Sequence, residues 1–384
     1  LRAIFEPAAT IITTNTLLQE AIQETDIPVR FLHTWRLFEQ GKPNGTKYHV
    51  DIEHLAREVA TRMSDVAGLR PNYVDRLRGL LQREARFALG QAAKALVRLS
   101  AANGLPLHVW SGTAGNLGSR LIGLEAMRRG GSARRFAHGL NSGIWYRKQK
   151  PFRFVELAAS SEFTVPTAAL ADYVSETGVV ASRPAAFGAK ISHGRGDPHL
   201  RKFIPTVLGR KKGPRRRHRV LYAPTETAKF RQFISPQLPF AVYREWQHRL
   251  ARMLEPMPVD IVCCQHPADR SSSAKHPFAG FAEMTRRKFD DEINDADIVL
   301  FDYFKSSTTA VALCTDRPIV YLDLEGLEFE PKGRSELSRR CRILSAQYDE
   351  RGRPLIDTSE LKDALTGPLE VLDPGFFISL YAGN

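Results

Sequence analysis

Cysteine is scarce: four residues in a chain of 384. Cys263 and Cys264 are adjacent in an apolar run, while Cys314 and Cys341 stand alone. No C-x-x-C ligand spacing occurs, so neither a cysteine metal site nor a disulfide framework is expected. Four buried thiols in a reducing compartment is the expectation. Long apolar runs are missing too, since none approaches the roughly 18–20 residues a bilayer-spanning helix needs. The opening Leu1-Arg2-Ala3-Ile4-Phe5-Glu6 lacks a signal peptide's charged start and apolar stretch. What precedes Leu1 is left open. Acidic charge is in deficit, with 42 Asp and Glu against 55 Lys and Arg, a net charge of +13. That excess directs the chain toward nucleic acid, an anionic membrane face, or phosphorylated and acidic substrates.

Hydrophobic residues make up 43% of the chain, enough for ordered cores, and the length suits two domains. The positive charge is concentrated: Arg210, Lys211, Lys212, Arg215, Arg216, Arg217 and Arg219 fall together around Gly213 and Pro214. Such a run reads either as a solvated basic linker or as a contact for an anionic membrane surface. No nucleic-acid motif accompanies it, so nucleic acid is not an expected partner. The expected location is the cytoplasm, with peripheral contact to the inner face of the cytoplasmic membrane through Arg210–Arg219.

Strand and helix signals alternate along the first half. Residues 9–13 and 29–32 read as short strands, with a helix over Leu17–Gln23 between them. Residues 51–99 switch to helical spacing. Ile52, Leu55, Val59 and Met63 form one apolar stripe; Leu77, Leu81, Ala85, Ala88, Ala92, Leu96 and Leu99 form another, with Pro71 dividing the blocks. A strand at 107–110, a small-residue loop Ser111-Gly112-Thr113-Ala114-Gly115-Asn116 and a helix from Leu117 follow. Strands at 134–137 and 163–165 complete the half. The pattern predicts an α/β fold with mostly parallel sheets and a helical insertion in the first domain.

Residues 192–219 break the rhythm with glycines, prolines and the basic run, and mark the best boundary. The expected domains are 1–200 and 218–384. The second half restarts with strands at 219–222, 259–264, 296–302 and 318–322.

Several loops at predicted strand ends carry polar residues. Asp302 ends a hydrophobic strand, and Lys305, Ser306, Ser307, Thr308 and Thr309 open the next helix. A helix start offers unpaired N–H groups and partial positive charge, which suits phosphate; simple capping by one serine is the alternative. Gln265-His266-Pro267 follows another strand, and His266 reads either as a phosphate or ribose contact or as a strand-end histidine satisfied by backbone. The glycines of the Ser111–Asn116 loop permit close backbone approach, but a dinucleotide fingerprint is not complete there; a tight turn is the alternative. His138 is followed by Gly139, and histidine is the side-chain type suited to deprotonating a hydroxyl near neutrality.

These residues carry a resemblance. Asp295–Leu322 (DADIVLFDYFKSSTTAVALCTDRPIVYL) resembles the C-terminal motif of CDP-glycerol glycerophosphotransferases and related surface-polysaccharide transferases. Arg219-Val220-Leu221-Tyr222-Ala223-Pro224-Thr225 resembles a strand and loop of the same group. Gln265-His266-Pro267 is similar to a His-Pro motif those enzymes share with bacterial capsule Kdo transferases. The resemblance covers residues 219–322 and is looser before them. It implies a GT-B glycosyltransferase, with two Rossmann-like domains facing an interdomain cleft and the donor held by the C-terminal one. It implies phosphate contacts from Gln265, His266, Pro267, Lys305, Ser306, Ser307, Thr308 and Thr309. The loop of Ser111, Gly112, Thr113, Gly115 and Asn116, together with Thr225, would face the cleft. His138 matches a proposed catalytic base, and Glu226 lies where retaining Kdo transferases place a functional carboxylate. The implied activity is sugar transfer in bacterial surface-polysaccharide biosynthesis, from CMP-Kdo by preference, onto a glycan or lipid-linked acceptor. Polyol-phosphate transfer of the CDP-glycerol type and a non-catalytic glycan- or phosphate-binding module are the alternatives. No cofactor and no metal are required, because no D-x-D-like pair sits at a strand end.

Overall fold

The computed structural model describes residues 11–13, 29–31, 52–66, 71–102, 105–112, 117–137, 157, 159–176, 189–204, 217–225, 238–266, 269, 275–304, 306–324, 329–370 and 372–383. The chain is an α/β protein with parallel sheets, as the alternating pattern predicts. It divides into two compact units. One comprises Leu1–Phe136, Val155–Glu162 and Ala185–Ala189; the other comprises Ala137–Phe154, Phe163–Pro184 and Lys190–Asn384.

In the first unit, β1 (Ile11–Thr13) and β2 (Val29–Phe31) pair in parallel. The helix expected over Leu17–Gln23 lies outside the described residues. Two long helices follow, α1 (Ile52–Val66) and α2 (Pro71–Ala101). Pro71 opens α2, where its missing N–H has no helical partner to lose. The helices run antiparallel: Arg86 Nε meets Glu53 Oε1 at 2.5 Å near one end, and Arg78 Nη2 meets Asp65 Oδ1 at 3.6 Å near the other. Their packing corrects the expected stripe. Leu55, Val59 and Met63 are exposed, Met63 by 53%, while Ala56, Ala60 and Ser64 are buried. Small side chains let a neighbouring backbone come close, so the seam forms along the alanines and the bulkier row is turned out.

β3 (His108–Ser111), α3 (Leu117–Arg128) and β4 (Ser132–Phe136) then form a strand-helix-strand unit, with β3 and β4 parallel and His108 opposite Ser132. Leu121 and Ile122 of α3 pack on Ala95 and Leu99 of α2. Gly131, at the turn into β4, is required: a Cβ there would lie 1.9 Å from the Leu107 carbonyl oxygen.

The second unit contains β5 (Glu162–Val165) from Phe163 onward, α4 (Ala168–Glu176), β6 (Lys190–His193) and α5 (Pro198–Arg201). The end of the chain ties this segment down. Thr167 Oγ1 donates to the Leu380 carbonyl at 2.6 Å, and Arg201 Nε donates to that of Ala382 at 2.7 Å. Gly196 holds φ +105° directly beneath Ala382, where any Cβ would collide.

The rest of this unit is built on β7 (His218–Tyr222), α6 (Phe240–Leu254), β8 (Val259–Cys263), β9 (Glu283–Met284), α7 (Phe289–Glu292), β10 (Ile298–Phe301), α8 (Ser307–Leu313), β11 (Ile319–Asp323), α9 (Pro331–Arg340) and β12 (Arg342–Ser345). A short antiparallel pair, β13 (Gln347–Tyr348) with β14 (Pro354–Leu355), and α10 (Thr358–Thr366) follow. The six strands β7–β12 form one parallel sheet in the order β12-β11-β10-β7-β8-β9. Counted from β7, that is the 3-2-1-4-5-6 order of a Rossmann sheet. β10 and β11 are buried along their whole length, as strands covered by helices on both faces must be. All four cysteines are buried and free, as expected. Among the described residues, no helix is long and apolar enough to cross a membrane.

Candidate functional site

The sheet order reverses between β7 and β10. An open parallel sheet binds ligands beyond its carboxyl edge at such a reversal, because loops on the two sides leave in opposite directions and open a crevice. Register brings three chain segments to that edge. Tyr222 lies opposite Cys263 and Leu300, so Ala223-Pro224-Thr225, Cys264-Gln265-His266 and Asp302-Tyr303-Phe304 all emerge at one level. The Ala223 amide donates to the Leu300 carbonyl at 3.1 Å and the Cys264 amide to the Tyr222 carbonyl at 2.9 Å, extending the ladder past the strand ends.

Asp302 organises this edge. It is fully buried and takes three hydrogen bonds: from Tyr222 Oη at 2.7 Å, Trp246 Nε1 at 3.0 Å and Tyr243 Oη at 3.0 Å. Tyr243, Trp246 and Gln247 share one buried face of α6, and Gln247 Nε2 supports Tyr222 Oη at 3.4 Å. Tyr243 Oη also accepts the Thr225 amide at 3.2 Å, so the buried carboxylate holds the β7 loop through a tyrosine. Burial pushes the Asp302 pKa up to about 6; the three donors favour the charged form and partly offset this. The same burial, with the Asp302 charge beside them, raises both tyrosines well above their usual range. Sequence reasoning saw Asp302 only as a strand terminus. The signal that would have raised it is a carboxylate in an otherwise apolar strand, matched by Tyr243, Trp246 and Gln247 at helical spacing.

Next to it, Ser306 precedes α8 but makes no capping bond through its side chain. Its Oγ instead lies 2.5 Å from Thr308 Oγ1 and 3.0 Å from Thr309 Oγ1. Thr309 is buried, Thr308 half-buried and Ser307 exposed. Simple capping by Ser306 is therefore not what the four hydroxyls do. The other end of α8 is fixed by Arg340, a fully buried guanidinium. It donates to the carbonyls of Leu313 (3.1 Å), Ala312 (3.0 Å), Thr315 (2.6 Å) and Arg317 (2.9 Å). A cation at a helix C-terminus also complements the helix dipole. Burial lowers the Arg340 pKa.

On the β8 side, Gln265 Nε2 donates to the Asp269 carbonyl at 3.1 Å and the Asp269 amide to that of His266 at 3.0 Å, closing a turn. Gln265 and His266 are half-buried.

The structure thus brings Thr225, Gln265, His266, Ser306, Ser307, Thr308 and Thr309 to one edge of one sheet. Ser111 and Gly112 belong to the first unit. Ser111 Oγ accepts from the buried Arg135 guanidinium at 2.5 Å and lies 3.2 Å from Ser119 Oγ, so its hydroxyl serves the β3–α3 junction. A Cβ at Gly112 would meet nothing within 4 Å, so no described neighbour demands glycine there. His138, Glu226, Pro267, Lys305, Thr113, Gly115, Asn116 and most of Arg210–Arg219 lie outside the described residues. Among the described residues, no group of three or more His, Cys, Asp or Glu is arranged to hold a metal ion.

No protein-family model matches the chain, and no curated protein matches it. Solved structures show distant likeness. The UDP-GlcNAc 2-epimerase of Methanocaldococcus jannaschii, in complex with UDP-GlcNAc and UDP, is 12% identical, covers 96% of this chain and 95% of its own, and has a TM-score of 0.43. Arabidopsis thaliana UGT89C1, complexed with UDP-L-rhamnose, is 13% identical over 93% of this chain and 81% of its own, with a TM-score of 0.44. The wall teichoic acid polymerase TagF is 12% identical over 65% of this chain and 62% of its own, with a TM-score of 0.33. Likeness at these TM-scores does not by itself set fold or activity.

Proposed function

We propose that the chain is a glycosyltransferase of the GT-B type that takes a nucleotide-activated sugar at the carboxyl edge of the β7–β12 sheet. The observation that carries this reading is the convergence of three motif loops at one sheet edge. Thr225 and the Ser306–Thr309 hydroxyls flank the sheet's reversal point, and Gln265 and His266 stand on the next strand. Phosphate is the natural occupant of such an edge, since loop hydroxyls and helix-start amides stabilise an anion there. In this reading residues 218–384 hold the donor and residues 1–200 supply the acceptor side.

The preferred donor is CMP-Kdo and the preferred process bacterial surface-polysaccharide assembly. Transfer of a polyol phosphate from a CDP-linked donor is the second reading, favoured by Ala223-Pro224-Thr225 and by Asp302-Tyr303. His138 and Glu226 are the proposed chemical pair. His138 would deprotonate the acceptor hydroxyl if the reaction inverts, and Glu226 would attack or stabilise the sugar carbon if it retains. Lys305 and Pro267 complete the proposed donor contacts. No metal or cofactor is needed for this chemistry.

The test is a thermal-shift series with CMP, CDP, UDP, GDP and ADP, followed by a transfer assay with the sugar form of whichever nucleotide stabilises the protein. A ligand that binds only the native state raises its melting temperature. A rise with a cytidine nucleotide alone supports the preferred reading. No shift with any of the five would refute nucleotide binding at this edge.

A further inference from the structure

Along α2, the positions spaced three and four apart that share one face are Tyr73, Arg76, Leu80, Arg83, Phe87, Gly90 and Lys94. Tyr73, Leu80 and Phe87 are all exposed, Phe87 by 65%. Arg76, Arg83 and Lys94 are exposed between and beyond them, and among the described residues none has an ion-pair or hydrogen-bond partner. The cations on the rest of the helix are used differently: Arg78 pairs with Asp65 and Asp75, and Arg86 with Glu53. Of the helix's two acids, Asp75 pairs with Arg78, while Glu84 is exposed beside Leu80 and Phe87, so this face carries three cations and one acid among its apolar groups. From Tyr73 to Lys94 this row runs about 32 Å at 1.5 Å per residue. α1 leaves its own apolar row, Leu55, Val59 and Met63, uncovered as well.

We propose that this face of α2 lies on an anionic membrane surface, with Tyr73, Leu80 and Phe87 entering the headgroup and upper acyl region and Arg76, Arg83 and Lys94 meeting lipid phosphates. Interleaved cations and large apolar side chains on one helical face match an interfacial helix, because long basic side chains extend to the headgroups while the apolar ones sink. The charges of the helix interior to the row forbid spanning, so the contact is peripheral. A second copy fits this face less well. A two-fold pairing sets the same patch against itself, and three cations against one acid on each copy leave a net repulsion to offset. Nucleic acid would use the charges but leaves Leu80 and Phe87 without a role.

The test is flotation of the full chain with phosphatidylcholine vesicles, with and without phosphatidylglycerol, which needs no catalysis and so stands apart from the donor-site reading. The wild type should float with the anionic vesicles and not with the neutral ones. Each cation near an anionic surface multiplies binding by about five, so the triple variant Arg76→Gln, Arg83→Gln, Lys94→Gln should lose on the order of a hundredfold. Phe87→Ser with Leu80→Ser should weaken binding to the same vesicles with those cations intact. Because these side chains are exposed, circular dichroism and the melting temperature should match wild type, and the two variant sets check each other. Unchanged flotation of the triple variant would overturn the proposal, and would point to the Arg210–Arg219 run. Failure of the wild type to float would overturn it too, as would a dimer in solution that Phe87→Ser converts to monomer without altering flotation.

Discussion

Tyr243 donates its hydroxyl to Asp302 at 3.0 Å while accepting the Thr225 amide at 3.2 Å. One side chain thus joins the end of β10 to the loop after β7, across the point where the sheet reverses. Two of the three loops assigned to the donor are held by the same hydroxyl.

Removing that hydroxyl tests the joint. Tyr243→Phe should destabilise the protein by about 1–3 kcal/mol, because a buried carboxylate oxygen and a backbone amide each lose a partner. It should also weaken nucleotide binding, as Thr225 is no longer fixed. Chemical denaturation and a nucleotide titration give the two numbers. A stability loss with unchanged affinity would mean that the loop is positioned without Tyr243.

Asp302 should make stability depend on pH in a defined direction. Its folded pKa of about 6 lies above the ordinary carboxylate value of roughly 3.9. Between these values the folded state holds the extra proton, so this stabilisation is complete below about pH 3.9 and is lost as pH rises through about 6. Relative to Asp302→Asn, the wild type should therefore lose stability from about pH 4 to pH 6 and level off above that. Trp246, whose indole N–H donates to Asp302, should report the same titration in its fluorescence. Parallel stability curves for the two proteins would remove Asp302 as the titrating group.

For the donor phosphates, the double substitution Ser307→Ala and Thr308→Ala should cost about 1–3 kcal/mol in nucleotide affinity if those hydroxyls bond a charged phosphate. Thr309→Val makes a useful contrast. Its hydroxyl is buried against Ser306, so the loss should appear mainly in stability. Equal nucleotide affinity in wild type and double variant would place the phosphates elsewhere.

Arg340 holds the far end of α8 with four backbone carbonyls. Arg340→Ala should cost roughly 3–5 kcal/mol, since it opens a buried space and leaves those oxygens short of a donor. Arg340→Lys should recover little, because an ammonium does not reproduce the planar fork. Thermal melts decide it, and a near-wild-type lysine variant would show that charge, not geometry, is what the helix end needs.

The chemical assignment is tested by His138→Ala and Glu226→Gln. An inverting reaction should lose about two to four orders of magnitude in rate without the histidine, the usual size of a general-base loss. A retaining reaction should stop in Glu226→Gln while nucleotide binding persists. Near-normal transfer by both variants would show that neither is catalytic.

The sequence by itself determined the α/β class, the parallel strands of the second half and the loops that end them. Runs such as Ile298–Phe301 and Ile319–Asp323 are apolar throughout, and only a strand covered on both faces uses that pattern. The same local chemistry made Ser306–Thr309 legible as the opening of a helix. Which residues meet was a different matter. Asp302 contacts Trp246 and Tyr222 across 56 and 80 residues of chain, and Arg340 reaches Leu313 across 27. Periodicity carries no information about such pairs, because sheet order and helix crossing bring them together. The apolar row of α1 makes the point in the opposite direction. Spacing marked Leu55, Val59 and Met63 as a buried face, and only the close approach of two helices along Ala56, Ala60 and Ser64 turned that row outward.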